Sequence, residues 1–100
     1  MDEDPARKPI KLQIDVPPEI APGRYANVSM INHTETEFVL DFIFIQPQAP
    51  KAQVGNRVIL SPKNAKRLLM VLSQNLKKYE DRFGEVEAGD PARKDPDLLQ

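Results

Sequence analysis

The chain has no cysteine, no tryptophan and a single histidine, His33, among its 100 residues. Without cysteine it forms no disulfide, no thiolate metal site and no cysteine nucleophile. One histidine with scattered carboxylates lacks recognisable metal-ligand spacing. A catalytic histidine would need an orienting partner and a nucleophile within reach, and the sequence offers neither in an obvious arrangement. We therefore expect no cofactor and no enzymatic activity, and we interpret His33 as a turn residue.

A large charge of either sign is also missing. Fourteen basic and fifteen acidic residues give a net charge of -1, which provides no general attraction to nucleic acid or to an anionic membrane. No apolar run approaches the roughly 18 residues of a membrane-spanning helix. The first residues, MDEDPARK, contain no apolar stretch typical of a signal peptide. These absences predict a cytoplasmic protein with no membrane partner.

Alternating apolar residues predict four strands, at 10–16, 25–31, 37–45 and 53–60. Gly55 within the last of these strands indicates a β-bulge. The connections between consecutive strands are short, which favours an antiparallel meander.

A long amphipathic helix follows the fourth predicted strand directly. Ser61 is placed to be its N-cap, Pro62 is suited to the first helical position, and Gly84 closes it. Apolar residues at helical spacing form a stripe that we expect to cover one face of the sheet: Ala65, Leu68, Leu69, Leu72, Leu76, Tyr79 and Phe83. The predicted fold class is α+β, a four-stranded antiparallel sheet with one C-terminal helix packed on one face.

Residues 10–84 are predicted to form a single domain between two charged, flexible tails at 1–9 and 85–100. Both tails contain the pentapeptide DPARK, at 4–8 and 90–94. The repeat is either a coincidence of similar composition or a duplicated contact motif.

The third predicted strand is apolar on both faces, although a strand in a sheet covered on one side needs only one apolar face. The second face requires another layer, which a second copy of so short a chain would provide. Two apolar helix residues also fall outside the stripe. We therefore predict a homo-oligomer, with a dimer as the expected form, whose interface includes Val39, Ile43, Ile45, Met70 and Val71.

Asp41 lies on this second face, in the middle of an apolar strand. A buried carboxylate without a partner is very costly, and Arg57 on the next strand is the natural partner. Such an ion pair would fix the strand register or a dimer seam, while exposure at an edge or contact with a ligand are alternatives. Asn75, beside the helical stripe, either sets register or is a plain flanking residue.

Three basic residues, Lys63, Lys66 and Arg67, occupy the first turns of the predicted helix. Positive charge is unfavourable there unless an anion lies nearby. The pattern indicates either a solvated face or a contact with phosphate or with an acidic partner. A small regulator that contacts nucleic acid or a nucleotide is therefore an alternative function, although nucleic-acid binding usually needs a stronger charge bias.

Several motifs resemble a family of short prokaryotic proteins known as a domain of unknown function. The matching segments are Tyr25-Ala26-Asn27, Glu37-Phe38, Leu40-Asp41-Phe42, Arg57-Val58, Ser61-Pro62, Ala65-Lys66-Arg67, Asn75, Lys78-Tyr79-Glu80 and Phe83-Gly84. The resemblance implies no activity. The order of strands followed by a long helix is also similar to the export chaperone SecB, but a similar layout transfers no function.

Together these features predict a non-enzymatic protein-binding or adaptor module that self-associates and binds a protein partner of unknown identity. A chaperone role like that of SecB is an alternative that rests on the similar layout alone.

Overall fold

The computed structural model describes residues 11–48 and 52–89 and has an α+β architecture. Strands β1 (Val28–His33), β2 (Phe38–Phe44) and β3 (Gln53–Leu60) are followed by helix α1 (Pro62–Phe83). The strands form one antiparallel sheet in the order β1-β2-β3, as a simple meander. The predicted α+β class, the antiparallel sheet and the single C-terminal helix are thus confirmed, but the sheet has three strands instead of four.

The predicted strand at 10–16 is wrong for the part that the structure describes. Residues 11–16 join no ladder, and Leu12 and Ile14 are 81% and 80% exposed. Alternating apolar residues show which face of a strand would be buried. They do not determine whether another strand lies close enough to pair with it. Directly after this segment, the carbonyl oxygen of Pro17 accepts hydrogen bonds from the N–H groups of Ile20 and Ala21, both at 2.9 Å. The chain therefore turns instead of entering a hairpin.

The hairpin between β1 and β2 is closed by a threonine. Thr34 Oγ1 accepts a hydrogen bond from the backbone N–H of Glu37 at 3.2 Å, and the N–H of Thr34 donates to the carbonyl oxygen of Glu37 at 2.9 Å. The turn starts later than the sequence predicted, so His33 is the last residue of β1. Its ring stacks on the ring of Phe38, with 5.2 Å between centroids.

Asn27 continues the pairing of β1 with β2 by one further step. Its backbone N–H donates to the carbonyl oxygen of Ile43 at 3.0 Å. Its side-chain amide then pairs with the backbone of Ile45, donating to the carbonyl oxygen and accepting from the N–H, both at 2.9 Å. The side chain thus takes the place of a peptide group. It provides a hydrogen-bond partner for both the N–H and the carbonyl oxygen of Ile45, just beyond the end of β2.

The predicted bulge at Gly55 is confirmed. Phe42 pairs with Asn56 and Ile43 pairs with Val54, which leaves Gly55 as the extra residue of β3. Arg24 Nη1 donates a hydrogen bond to the carbonyl oxygen of Gly55 at 2.9 Å. The segment before β1 is thereby attached to the bulge.

The sheet has two different faces. We call one the helix-side face; β2 contributes Phe38, Leu40 and Phe42 to it. We call the other the Asp41 face; it carries Met30 from β1, Val39, Asp41 and Ile43 from β2, and Arg57 and Ile59 from β3. Within residues 11–48 and 52–89, only Leu40, Asp41 and Ile43 are buried, and all three belong to the central strand.

Helix α1 has the bounds that the sequence predicted. Ser61 Oγ accepts a hydrogen bond from the N–H of Asn64 at 3.2 Å, and Pro62 begins the helix. At the other end, the N–H of Gly84 donates to the carbonyl oxygen of Glu80 at 2.9 Å. Gly84 has φ of +100°, a conformation that glycine adopts without strain.

The prediction that the apolar stripe of α1 covers the sheet is wrong. No residue of α1 is buried, and among the strands β3 is its principal neighbour. Only helix residues between Pro62 and Leu72 border the clefts next to the sheet. Since Ser61 alone separates β3 from α1, the helix leaves the end of the sheet and its second half extends away from the strands.

The N-cap provides a test of what starts the helix. Ser61→Ala removes the acceptor for the N–H of Asn64, and we expect it to lower the free energy of unfolding by about 1 kcal/mol. Ser61→Asp keeps an acceptor and adds negative charge at the helix start, so it should retain wild-type stability. Urea unfolding followed by circular dichroism measures both. Equal losses in the two variants would contradict a capping role.

Candidate functional site

The Asp41 face contains a two-point ion pair between neighbouring strands. Arg57 Nε lies 2.7 Å from Asp41 Oδ1, and Arg57 Nη2 lies 2.9 Å from Asp41 Oδ2. The two residues are direct register partners across β2 and β3. The side chain of Asp41 is 6% exposed and that of Arg57 is 60% exposed. The carboxylate is therefore covered, while the guanidinium presents an edge to solvent with donors to spare.

Both members of the pair are held in their charged forms. The hydrogen bonds from Arg57 lower the pKa of Asp41, and the attraction of the positive charge adds to this effect against the opposing influence of burial. The same hydrogen bonds and attraction raise the pKa of Arg57. The pair is thus ionised at neutral pH.

Apolar side chains surround the ion pair. Met30 is the register partner of Asp41 on β1, and Ile59 is the partner of Val39 on β3. Met30 and Ile59 are 51% and 56% exposed. The Asp41 face therefore offers apolar contact area together with one guanidinium that can orient a bound surface.

The five residues predicted to form an oligomer interface do not lie on one surface. Val39 and Ile43 belong to the Asp41 face. Ile45 follows the end of β2, where Asn27 holds its backbone. Val71 borders a cleft with Leu40 and Phe42, on the opposite side of the sheet, and Met70 is exposed on the helix. The Asp41 face also includes the exposed residues Met30 and Ile59, which the sequence analysis did not select.

The three basic residues of the helix start also have separate surroundings. Lys66 borders one cleft between helix and sheet, together with Ile31 and Phe38. Arg67 borders a second cleft, together with Leu40 and Val58. The clefts have volumes of about 630 Å³ and 410 Å³. Lys63 borders neither of them, so the structure does not gather the three side chains at a common anion site.

The larger cleft was not predicted from the sequence. Its walls come from the helix-side face and from one side of α1, and its lining is mostly apolar: Ser29, Ile31, Phe38, Leu40, Phe42, Pro62, Ala65, Lys66, Leu68, Leu69 and Leu72. The apolar pattern of the helix indicated that another layer packs on this side of α1. It could not show that the sheet covers this side only in part.

Other polar residues with a possible role lie apart from the ion pair. Asn75 Nδ2 donates to the carbonyl oxygen of Val71 at 2.9 Å, one turn earlier in the same helix. Tyr79 packs against Phe83, while His33 stacks on Phe38 at the hairpin. In the described ranges, no group of three or more histidine, aspartate or glutamate side chains is placed to hold a metal ion. Nor does any helix there have the length and apolarity to cross a membrane.

A three-stranded meander followed by one long helix, with an ion pair set in an apolar sheet face, defines a small α+β domain. A family model described as a protein of unknown function (DUF3467) matches residues 1–88, and the chain belongs to this family. Searches of the curated proteins and of the solved structures gave no match.

The ion pair predicts a pH dependence of stability. Asp41 has a folded-state pKa below its ordinary value of 3.8, so the pair stabilises the fold above that pH. This stabilisation is lost as the pH falls through the lowered pKa. Arg57→Gln should therefore be less stable than wild type at pH 7, and the difference should shrink below about pH 4.

Urea unfolding at pH 7, 5 and 3 measures this effect. Lys77→Gln is the matched control, because Lys77 pairs with Asp81 at 3.1 Å on the exposed side of α1. Such a surface pair contributes little, so the control should follow wild type at every pH. A stability difference for Arg57→Gln that stays constant with pH would show that the ion pair is not its cause.

Proposed function

We propose that the protein is a non-enzymatic protein-binding or adaptor module that self-associates. The observation that carries the proposal concerns residues 11–48 and 52–89, where only three residues are buried and many large apolar side chains are exposed on both the sheet and the helix. Contiguous exposed apolar surface is typical of sites where proteins bind one another. In this function the sheet and the helix form a platform that other chains cover.

Energetics support self-association as part of this function. Burying one large apolar side chain contributes roughly 1.5–3 kcal/mol. A small domain with so few buried side chains gains little of this free energy within one chain, and oligomerisation is a common way to supply the rest. A second copy is always present at the same concentration and provides a matching layer.

The chemistry of the Asp41 face favours a protein partner over nucleic acid. Its exposed residues include the apolar Met30 and Ile59, and the exposed Arg57 is already engaged with Asp41. Binding to a nucleic-acid backbone needs several free cations to neutralise phosphates. An apolar patch around one oriented guanidinium is instead suited to a protein surface that offers apolar side chains and a carbonyl or carboxylate acceptor.

Two substitutions test whether the Asp41 face is covered in solution. Met30→Lys places a charge among the exposed apolar residues of this face, whereas Gln74→Lys adds the same charge at an exposed position of α1, away from the face. Light scattering should give wild type and Gln74→Lys the mass of an oligomer, above 11.3 kDa for one chain. Met30→Lys should have a lower mass than both if the face contacts another copy.

Affinity capture from the host lysate, with and without nuclease, tests the adaptor part. We expect a defined set of captured proteins that survives nuclease and is reduced by Met30→Lys but not by Gln74→Lys. Partners that disappear on nuclease treatment, with an affinity that falls steeply with salt, would instead favour a regulator that binds nucleic acid. A wild-type chain that stays monomeric and captures nothing selectively would contradict the proposal.

A further inference from the structure

The apolar residues of α1 have the spacing of a helix-pairing seam. Six of them are separated alternately by four and three residues: Ala65, Leu69, Leu72, Leu76, Tyr79 and Phe83. A repeat averaging 3.5 residues is the pattern by which two helices pack along their length. Ala65 is half-buried, and the five residues from Leu69 onward are all at least 46% exposed. In the part of the chain that the structure describes, the clefts beside the sheet include seam residues only from Ala65 to Leu72 and leave the rest of the seam exposed.

We propose that α1 pairs antiparallel with α1 of a second copy, about a two-fold axis level with Gln74. This inference rests on the self-association proposed above and assigns to it a second surface, beside the Asp41 face. Antiparallel pairing about this axis sets the seam residues of the two helices opposite each other in three different pairs. The two-fold symmetry repeats each pair once. Ala65 meets Phe83 of the second copy, Leu69 meets its Tyr79, and Leu72 meets its Leu76.

Side-chain size favours this direction over a parallel one. In the antiparallel arrangement the smallest seam residue, Ala65, lies opposite the large Phe83, so the total volumes of the opposed residue pairs differ less than they would in a parallel arrangement. A parallel pair would set each residue against itself. Ala65 would then face Ala65 across a gap while Phe83 crowded Phe83, and both defects are destabilising.

Charge complementarity supports the same arrangement. Lys66 and Glu80 flank the seam on the same side, and antiparallel pairing brings Lys66 of each copy next to Glu80 of the other. Within its own helix, Lys66 has no acidic residue three or four positions away, and the first turn contains none. An acidic side chain from a second copy offsets the unfavourable position of Lys66 near the positive end of the helix dipole.

The environment of Glu80 is consistent with this role. Glu80 is half-buried, and its Oε2 accepts a hydrogen bond from the N–H of Val86 at 2.9 Å. This contact holds the carboxylate against the helix end and leaves Oε1 available. On the other flank, Asn75 lies close to the two-fold axis, where a polar residue beside an apolar seam favours one register over others.

The cleft of about 630 Å³ fits the same partner. Its helix wall includes the first half of the seam, Ala65, Leu69 and Leu72, and its sheet wall includes Ile31 and Phe38. Antiparallel pairing directs the second half of the other helix toward this cleft. The aromatic side chains of that half, Tyr79 and Phe83, are 50% and 64% exposed and would be covered there.

Charge reversal with complementation tests the pairing. Lys66→Glu and Glu80→Lys each place like charges across the seam twice, and we expect each to raise the dimer dissociation constant about tenfold. Lys66→Glu puts negative charge at the helix N-terminus, so it should not weaken the helix itself. Mixing the two variants creates opposite charges at both positions and should restore wild-type affinity in the mixed dimer.

Analytical ultracentrifugation of each variant and of the mixture gives these constants, and circular dichroism confirms that helix content is kept. An unchanged dissociation constant for both single variants, or a mixture no tighter than either variant alone, would overturn the pairing.

Because the chain has no cysteine, single cysteines report on the direction of pairing. Ser73 lies beside the seam near the two-fold axis, and Gln74 lies on the outer side of the same turn. A short bismaleimide should join Ser73→Cys chains into covalent dimers and leave Gln74→Cys chains unjoined. In a parallel pair the two Ser73 residues would lie on opposite flanks, so an absence of Ser73→Cys dimers would overturn the antiparallel arrangement.

The two proposals fail in different ways. A wild-type chain that is monomeric at every concentration would contradict both the proposed self-association and the helix seam. A wild-type oligomer that the charge reversals leave unchanged, and that Met30→Lys disrupts, would keep the proposed function and refute the helix seam.

Discussion

The pairing of Asp41 with Arg57 is the constraint on which the sheet depends. A carboxylate in the central strand, covered by its neighbours, must find a positive partner, and only one alignment of β2 against β3 brings Arg57 directly opposite with both hydrogen bonds made. A shift by one residue would turn Arg57 to the other face of the sheet. Because β3 leads into α1 through Ser61 alone, the same alignment also sets where the helix begins.

The ion pair fixes geometry, but it does not supply a core. The apolar residues of the strands and the helix form two sheet faces and a helical stripe, and the described part of the chain covers none of these surfaces completely. In the proposed oligomer, folding and association are coupled, so the stability of each chain would depend on its concentration. The features that hold within one chain are local or hydrogen-bonded ones: the Thr34 turn, the Asn27 amide, the N-cap and the ion pair.

The sequence predicted well what local chemistry determines. The bounds of α1 follow from Ser61, Pro62 and Gly84, whose preferences for their positions come from backbone geometry alone. The strand at 53–60 and its bulge at Gly55 could be predicted from the sequence equally well. The juxtaposition of Asp41 and Arg57 could also be anticipated, because one buried charge leaves few possible partners.

Features that depend on distant contacts were not predictable. Alternation in residues 11–16 has the appearance of a strand, but whether a strand pairs depends on an available edge, which no local pattern encodes. The helical stripe likewise indicates that a layer must cover it, without identifying which one. The Asn27 amide was missed because the alternating pattern placed Asn27 inside the strand predicted at 25–31, where its backbone and not its side chain would pair; the strand itself begins at Val28.

The bulge at Gly55 has a consequence for the evolution of the chain. β3 carries one more residue than its ladder uses, and this spare residue lies beside the connection from β2. A deletion there would leave Arg57 opposite Asp41 and Val54 opposite Ile43, since only the unpaired position would be lost. An insertion in the connection would likewise be absorbed before it reached the ion pair. The bulge thus keeps the pairing register of β2 and β3 unchanged when the length of their connection changes.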